Sequence, residues 1–242
     1  MWSAALDGEP LDLQKMVDIF GEGDPKVSIG TTGDFVLDSS RFDGLNIASD
    51  VKVAADHLLT QMNGAVKVRD PMFRSVRLSG AFWKDKEMTR IVVPMTAEVL
   101  VTASGVAAGT VTVNGVLVDS PPPPEREWVA RGEANRNVND VLRRIVDREL
   151  DWATLYNIFE IMCEDLGDGN VSAGRGEIVE RGWASGRRIK AFRVSANKET
   201  ISGDYARHAR TKGTTPTNTM TLNTGRAFIL DLVQMWLAAS LV

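Results

Sequence analysis

The sequence is poor in the residues that most often bind metals or form disulfides. Its 242 residues include one cysteine, Cys163, and two histidines. A single cysteine excludes an intramolecular disulfide and suits a reducing compartment. These residues are too few for a typical structural zinc site, and we interpret Glu160, Glu164 and Asp165 as a solvated helix face. We therefore expect no metal and no cofactor.

Long apolar runs and known catalytic motifs are missing as well. No apolar run approaches the roughly 20 residues that cross a bilayer, and the first residues turn acidic where a signal peptide would be basic and then apolar. The glycines at 21 and 23 are not followed by the Lys-Ser/Thr pair of a phosphate-binding loop. We therefore expect a cytoplasmic protein without a membrane span.

The sequence does have an ordinary globular composition with uneven charge. Hydrophobic residues make up 43% and charged residues 25%, which predicts a sizeable core. Residues 1–169 carry a net charge of −10, whereas residues 170–213 hold ten Lys and Arg against four Asp and Glu, a net of +6. This asymmetry suggests an anionic partner, but attraction between the two halves, or simple solvation, also explains it.

Short apolar runs between glycines predict a β-rich front part with one or two helices. Residues 13–20 have the spacing of a short amphipathic helix. A second helix is predicted over 49–62, where Ser49 can cap the start and Asn63-Gly64 can form a left-handed end. The predicted strands cover 65–69, 76–82, 90–93 and 98–102.

The residues around Asn114-Gly115 give the firmest local prediction. Asn-Gly permits the positive backbone angles of a type I′ turn, whose twist matches the strands that it joins. In the predicted hairpin over 110–119, Val113 faces Val116 and Val111 faces Val118. These cross-strand pairs would give one apolar face.

The pattern changes after four consecutive prolines at 121–124. Such a segment is extended and semi-rigid, and we interpret it as a spacer rather than a ligand for an aromatic groove. Beyond it the apolar period is 3.6, which predicts helices from about 138, from an Asp151 cap to Gly167, across 176–194 with a break near Gly186, and from about 221. The fold class is therefore α+β: a β-rich domain over 1–120, a Pro-rich linker over 121–136 and a helical bundle over 137–242.

The segment from about 193 to 210 holds the candidate ligand-binding residues. Polar and small residues lead into Gly203 and are followed by a short helix-like piece. Loops on a rigid bundle often carry functional groups, and the planar arginine fork suits phosphate or carboxylate. We predict that Arg193, Asn197, Arg207 and Arg210 bind the ligand; the alternative is that the arginines of this segment serve the fold itself.

A catalytic interpretation of this segment is open too. His208 is the candidate general base, because neighbouring arginines favour its neutral form, and Glu160 is the candidate acid or orienting residue. Arg207 and His208 are adjacent, so on a helix they diverge by about 100°, whereas Arg207 and Arg210 share a face. Glu160 also has a structural alternative, an ion pair with an arginine that locks helices together. We rank binding above catalysis.

A set of residues in the second half resembles a pattern found in other proteins. It comprises Asp151-Trp152, Leu155-Tyr156, Phe159-Glu160, Trp183, Phe192-Arg193, Ser195-Ala196-Asn197, Ser202-Gly203, Ala206-Arg207-His208, Met220-Thr221, Ala227 and Trp236. In this pattern, mainly over 138–242, the chain resembles a family of bacterial hypothetical proteins. The resemblance implies a bacterial or bacteriophage-related origin, and it transfers no catalytic role because the family has no established activity.

These observations predict a binding or accessory module that holds a nucleic acid or a phosphorylated small molecule through the basic segment over 181–212. Trp183 and Phe192 have the spacing of core residues, so the sequence gives little support for base stacking. One alternative is a structural or interaction component of a bacterial multi-protein system, with a protein partner. The other is a metal-independent phosphodiester hydrolase.

Overall fold

The computed structural model describes residues 1–30, 33–85, 87–90, 112–113, 116–117, 122–146, 150–197 and 218–239. Within these ranges an antiparallel sheet of five strands is followed mainly by helices, which confirms the predicted α+β class with a helical second part. None of the helices in these ranges has both the length and the apolar character that a bilayer crossing requires.

The sheet is formed by β1 (Trp2–Asp7), β2 (Lys26–Ile29), β3 (Phe35–Asp38), β4 (Arg77–Lys84) and β5 (Glu87–Arg90), in the order β2-β3-β1-β4-β5. Successive side chains lie on opposite faces of the sheet, with the two-residue period of strands. Ala4 lies between Leu37 and Phe82, and all three are buried. One residue earlier, Ser3 pairs with Asp38 and Trp83 on the opposite face.

Helices α1 (Pro10–Phe20) and α2 (Ala48–Arg69) pack against this sheet. Pro10 suits the first turn of α1, where its missing N–H has no partner to lose. Leu13, Met16 and Phe20 recur at helical spacing and are buried. The helix predicted over 13–20 is therefore confirmed.

Helix α2 continues beyond its predicted end at Asn63-Gly64, and the strand predicted over 65–69 is wrong. The Nδ2 of Asn63 donates to the carbonyl oxygen of Val76 at 2.7 Å, and its Oδ1 accepts from the Val76 N–H at 3.0 Å. A Cβ on Gly64 would lie 2.2 Å from the carbonyl oxygen of Leu142. These two residues therefore serve packing between distant segments, not helix termination.

The other strand predictions have mixed outcomes. β4 confirms the strand over 76–82. Of the strand predicted over 90–93, only Arg90 is described, as part of β5, and the rest lies outside the described residues. β6 (Thr112–Val113) and β7 (Val116–Leu117) pair antiparallel with Val113 opposite Val116, as expected, and the predicted turn at Asn114-Gly115 lies outside the described residues. The strand predicted over 98–102 and the pair Val111–Val118 lie outside the described residues.

The helical part contains α3 (Glu125–Ala134), α4 (Arg136–Val146), α5 (Trp152–Leu166), α6 (Val171–Glu180), α7 (Gly186–Asn197) and α8 (Leu222–Ala239). The Asp151 carboxylate accepts from the Thr154 N–H at 2.7 Å, so the predicted cap of α5 is confirmed. The linker predicted over 121–136 contains α3, because Trp128 and Val129 bury their side chains there. The division into domains stays a prediction, and α2 contacts α3, α4 and α8.

Candidate anion-binding surface

Helices α6 and α7 follow each other along the chain and both contact α5, and we call the two helices with the turn between them the basic hairpin (residues 171–197). The Asn170 side chain accepts from the Ser172 and Ala173 N–H groups and so begins α6. The turn over 181–185 contains Gly182 at φ +72°, a left-handed conformation that favours glycine. The Ser185 Oγ accepts from the Arg188 N–H at 3.3 Å, which fixes the start of α7.

Helix α7 presents positive charge without acidic residues of its own. It carries Arg187, Arg188, Lys190 and Arg193, and no Asp or Glu. The first three are exposed, and none of the three forms an ion pair within the described part of the chain. Arg187 and Lys190 are three residues apart and share a helix face, whereas the Arg188 Cζ lies 4.9 Å from the centroid of the Phe228 ring.

An arginine–tryptophan pair occupies the turn that precedes α7. The Arg181 Cζ lies 5.3 Å from the Trp183 ring centroid, and the Arg181 Nε donates to Glu177 at 3.1 Å. The Arg181 side chain is 43% exposed. Trp183 is half-buried and packs against the hydrophobic core. Its interpretation as a core residue is therefore only partly right.

The inner face of α7 is held rigidly by an aromatic cluster. The buried ring of Phe192 lies 5.5 to 6.2 Å, between centroids, from the rings of Trp152, Tyr156, Phe159 and Phe228. The Ser195 Oγ accepts from the Met220 N–H at 2.7 Å and ties α7 to the start of α8. The cations of α7 therefore stand on a fixed base, which reduces the entropy lost when a ligand orders them.

The structure places three of the predicted site residues near one another. The Asn197 Nδ2 donates to the Arg193 carbonyl oxygen at 2.8 Å, so these two residues are adjacent on α7. The Arg193 Nε is buried and has no hydrogen-bond partner among the described residues. Arg193 and Glu160 both act electrostatically on the thiol of Cys163. This proximity also suits the structural alternative for Glu160.

The remaining predicted residues, Arg207, His208 and Arg210, lie outside the described residues. Their convergence with Arg193 stays a prediction, as does the role of His208 as a general base. The hydrolase alternative depends on these residues.

Cys163 is buried against α6 and is poorly suited to nucleophilic chemistry. Burial raises the pKa of its thiol to about 12; Arg175 opposes the rise, Glu160 adds to it, and Arg193 opposes it. Among the described residues, no group of three or more His, Cys, Asp or Glu is placed to hold a metal ion.

We expect the folded protein not to react with a thiol-specific disulfide reagent near neutral pH, and one thiol per chain to react after denaturation. Because the folded pKa of about 12 lies above the unfolded value of about 8.5, the thiol's contribution to stability is complete below the unfolded pKa. It is lost as the pH rises through the folded pKa. A Cys163→Ala variant should lack this part of the alkaline loss. Rapid labelling of the native protein would contradict the prediction.

Sequence reasoning missed part of this surface. Arg187, Arg188 and Lys190 were not among the predicted binding residues, although they lie within the basic segment. The signal was available, because Ile189, Phe192 and Ala196 mark the inner face of α7 and leave Arg187 and Lys190 outside. The stacking of Arg181 on Trp183 depends on the turn and had no comparable signal.

Comparison with known proteins does not assign the surface. The chain matches no protein-family model, no curated protein and no solved structure. The resemblance to bacterial hypothetical proteins therefore stays a prediction. The chemistry of the surface has to be inferred from its own residues.

Proposed function

We propose that this protein is a binding module that holds an anionic ligand, either a nucleic acid or a phosphorylated small molecule, through the basic segment over 181–212. The observation that carries the proposal is helix α7, which has four basic residues and no acidic residue, with three of the basic side chains exposed. The binding residues are Arg187, Arg188 and Lys190 together with the predicted Arg193, Asn197, Arg207 and Arg210.

The charge distribution supports this surface over others. Arg187, Arg188 and Lys190 have no ion pairs within the described part of the chain, so no such pair has to be broken when a phosphate binds. Residues 1–169 carry a net charge of −10 and repel an anion. The field of the whole chain therefore directs an anionic ligand towards the basic segment.

A double variant, Arg187→Gln/Lys190→Gln, tests the proposal. Loss of two phosphate contacts should weaken binding of a labelled single-stranded oligonucleotide. It should also reduce the steepness of log affinity against log salt by about 0.7 per contact, because fewer counterions are released. Fluorescence anisotropy over a salt series measures both quantities.

The matched control removes the same charge elsewhere. Lys26→Gln/Arg136→Gln changes two exposed side chains that lie outside the basic hairpin, and it should leave the salt dependence unchanged. An equal loss in both double variants would show that only net charge matters. If oligonucleotides, nucleotides and inorganic polyphosphate all fail to bind at low salt, the proposal is wrong.

A second candidate, an interaction component of a multi-protein system, is favoured by two open clefts beside the prolines. One cleft, of about 470 Å³, is lined by Arg69, Pro122, Pro123, Pro124, Trp128, Gln234 and Ala238. The other, of about 380 Å³, shares Arg69 and Pro123 with it. A stoichiometric partner in solution, lost in Pro123→Glu, would support this function. A lone monomer would count against it.

The proposed setting is the cytoplasm of a bacterium. A buried free thiol at Cys163 is compatible with a reducing compartment. The bacterial origin depends on the resemblance of residues 138–242 alone.

A further inference from the structure

Resting on the proposed function, we infer that the anionic ligand is single-stranded nucleic acid, and that the Trp183–Arg181 pair stacks against one of its bases. Proteins that bind single strands combine a basic surface for phosphates with an aromatic or arginine platform for bases. The basic hairpin has both parts. The platform consists of half-buried Trp183 and of Arg181, whose Cζ lies 5.3 Å from the centroid of the Trp183 ring.

The platform is already ordered in the free protein. The Trp183 ring packs against the hydrophobic core, and the backbone N–H of the same residue donates to the Ile178 carbonyl oxygen at 3.0 Å. The Arg181 guanidinium is held by Glu177 at 3.1 Å. The Arg181 Cζ lies over the Trp183 ring and 43% of the Arg181 side chain is exposed, so a base can stack on the side of the guanidinium that is turned away from the ring. Little conformational entropy is lost on stacking, because both side chains are held beforehand.

The cations lie next to this platform in the chain. Ser185 ends the turn that contains Trp183, and Arg187 and Lys190 follow on the exposed face of the first turns of α7. A strand that stacks one base on the pair therefore has its phosphates near these cations. The arrangement distinguishes nucleic acid from inorganic polyphosphate or a lipid headgroup, which carry the charge but no base.

Single strands are favoured over a duplex for a geometric reason. Inside a duplex the faces of the bases are stacked on their neighbours, and only their edges are open in the grooves. A platform that uses the face of a base needs a base that is not already stacked on both sides. The basic hairpin therefore takes single-stranded DNA or RNA in preference to the same sequence in a duplex.

The test uses the full chain and three labelled probes of equal length: a single-stranded oligonucleotide, its abasic counterpart with the sugar-phosphate backbone alone, and the duplex. We expect the wild-type protein to bind the base-containing strand about tenfold more tightly than the abasic strand, a typical effect of one stacked base. Trp183→Leu should bind both strands equally, and Trp183→Phe should keep most of the preference. The ratio for one protein sample cancels differences in the folded fraction.

Arg181→Met provides a second variant that leaves the Trp183 ring in place, and it should reduce the same ratio if Trp183→Leu fails to fold. Equal wild-type affinity for the base-containing and abasic strands overturns the inference but leaves the proposed function standing. Tighter binding of the duplex, or an unchanged ratio in Trp183→Leu and Arg181→Met, overturns it as well. If none of the three probes binds, the inference is overturned, and the proposed function fails too only if nucleotides and inorganic polyphosphate also fail to bind.

Discussion

Gly64→Ala is expected to lower the free energy of unfolding by about 2 kcal/mol or more. The new Cβ would lie 2.2 Å from the Leu142 carbonyl oxygen and 2.8 Å from its carbonyl carbon. Both neighbours are backbone atoms of α4, so the contact is relieved only if α2 and α4 move apart. Helix propensity alone would favour alanine by about 1 kcal/mol. Overpacking costs about 1–3 kcal/mol and occasionally more, and a contact this short belongs at the upper end.

Gly176→Ala is the matched control. Gly176 lies within α6, and a Cβ there would have no heavy atom within 4 Å apart from its chain neighbours and its own helix. The same substitution should therefore stabilise the protein by about 0.5–1 kcal/mol through helix propensity. Urea unfolding followed by circular dichroism gives both values. If Gly64→Ala is as stable as Gly176→Ala, the close approach of α2 to α4 is refuted.

The Asn63-Gly64 pair shows where local sequence signals fail. Asn followed by Gly is typical of a helix end, and nothing within the surrounding residues distinguishes that role from packing. Asn63 instead forms hydrogen bonds with the backbone of Val76. Gly64 instead allows the backbone of Leu142 to approach closely. Both partners are distant in sequence, so their effect becomes visible only when the fold is known.

Signals that act within a few residues could be predicted. Asp151 accepts a hydrogen bond from the N–H of Thr154, which is only three residues away in the sequence. The pairing of Val113 with Val116 needs only the two residues between them. The order of the sheet, with β1 between β3 and β4, depends on contacts between distant segments. Helix α3 was missed because the prolines that precede it suggested a spacer, whereas burial of Trp128 stabilises a helix there.

Part of the candidate surface could likewise be predicted from the sequence, and part of it could not. The helical period of α7 identifies Arg187 and Lys190 as exposed residues. The helical period does not reveal that Trp183 is only half-buried. The burial of its ring depends on the turn around Gly182 and on the packing of the ring against the core. Base stacking had little support from the sequence for that reason.

The environment of Asp165 differs from the sequence interpretation. Expected on a solvated acidic face, it accepts hydrogen bonds from the Nδ2 atoms of Asn135 and Asn137, both at 3.1 Å, and from the Trp236 Nε1 at 2.9 Å. The Arg131 guanidinium lies 4.0 Å away. One carboxylate near the end of α5 thus connects α3, the start of α4, and α8.

Asp165→Ala is therefore expected to lower the free energy of unfolding by about 3 kcal/mol, because the donors that it pairs, and the cation beside it, lose their acceptor in a largely buried position. Trp236 is fully buried, so water cannot easily replace the lost oxygen. Asp165→Asn retains one acceptor oxygen and should be intermediate. Glu164→Ala, one residue earlier on an exposed side chain, should change stability by no more than about 0.5 kcal/mol. Urea unfolding of the three variants measures these changes. If Asp165→Ala lowers the free energy of unfolding no more than Glu164→Ala does, Asp165 belongs to a solvated helix face as the sequence suggested.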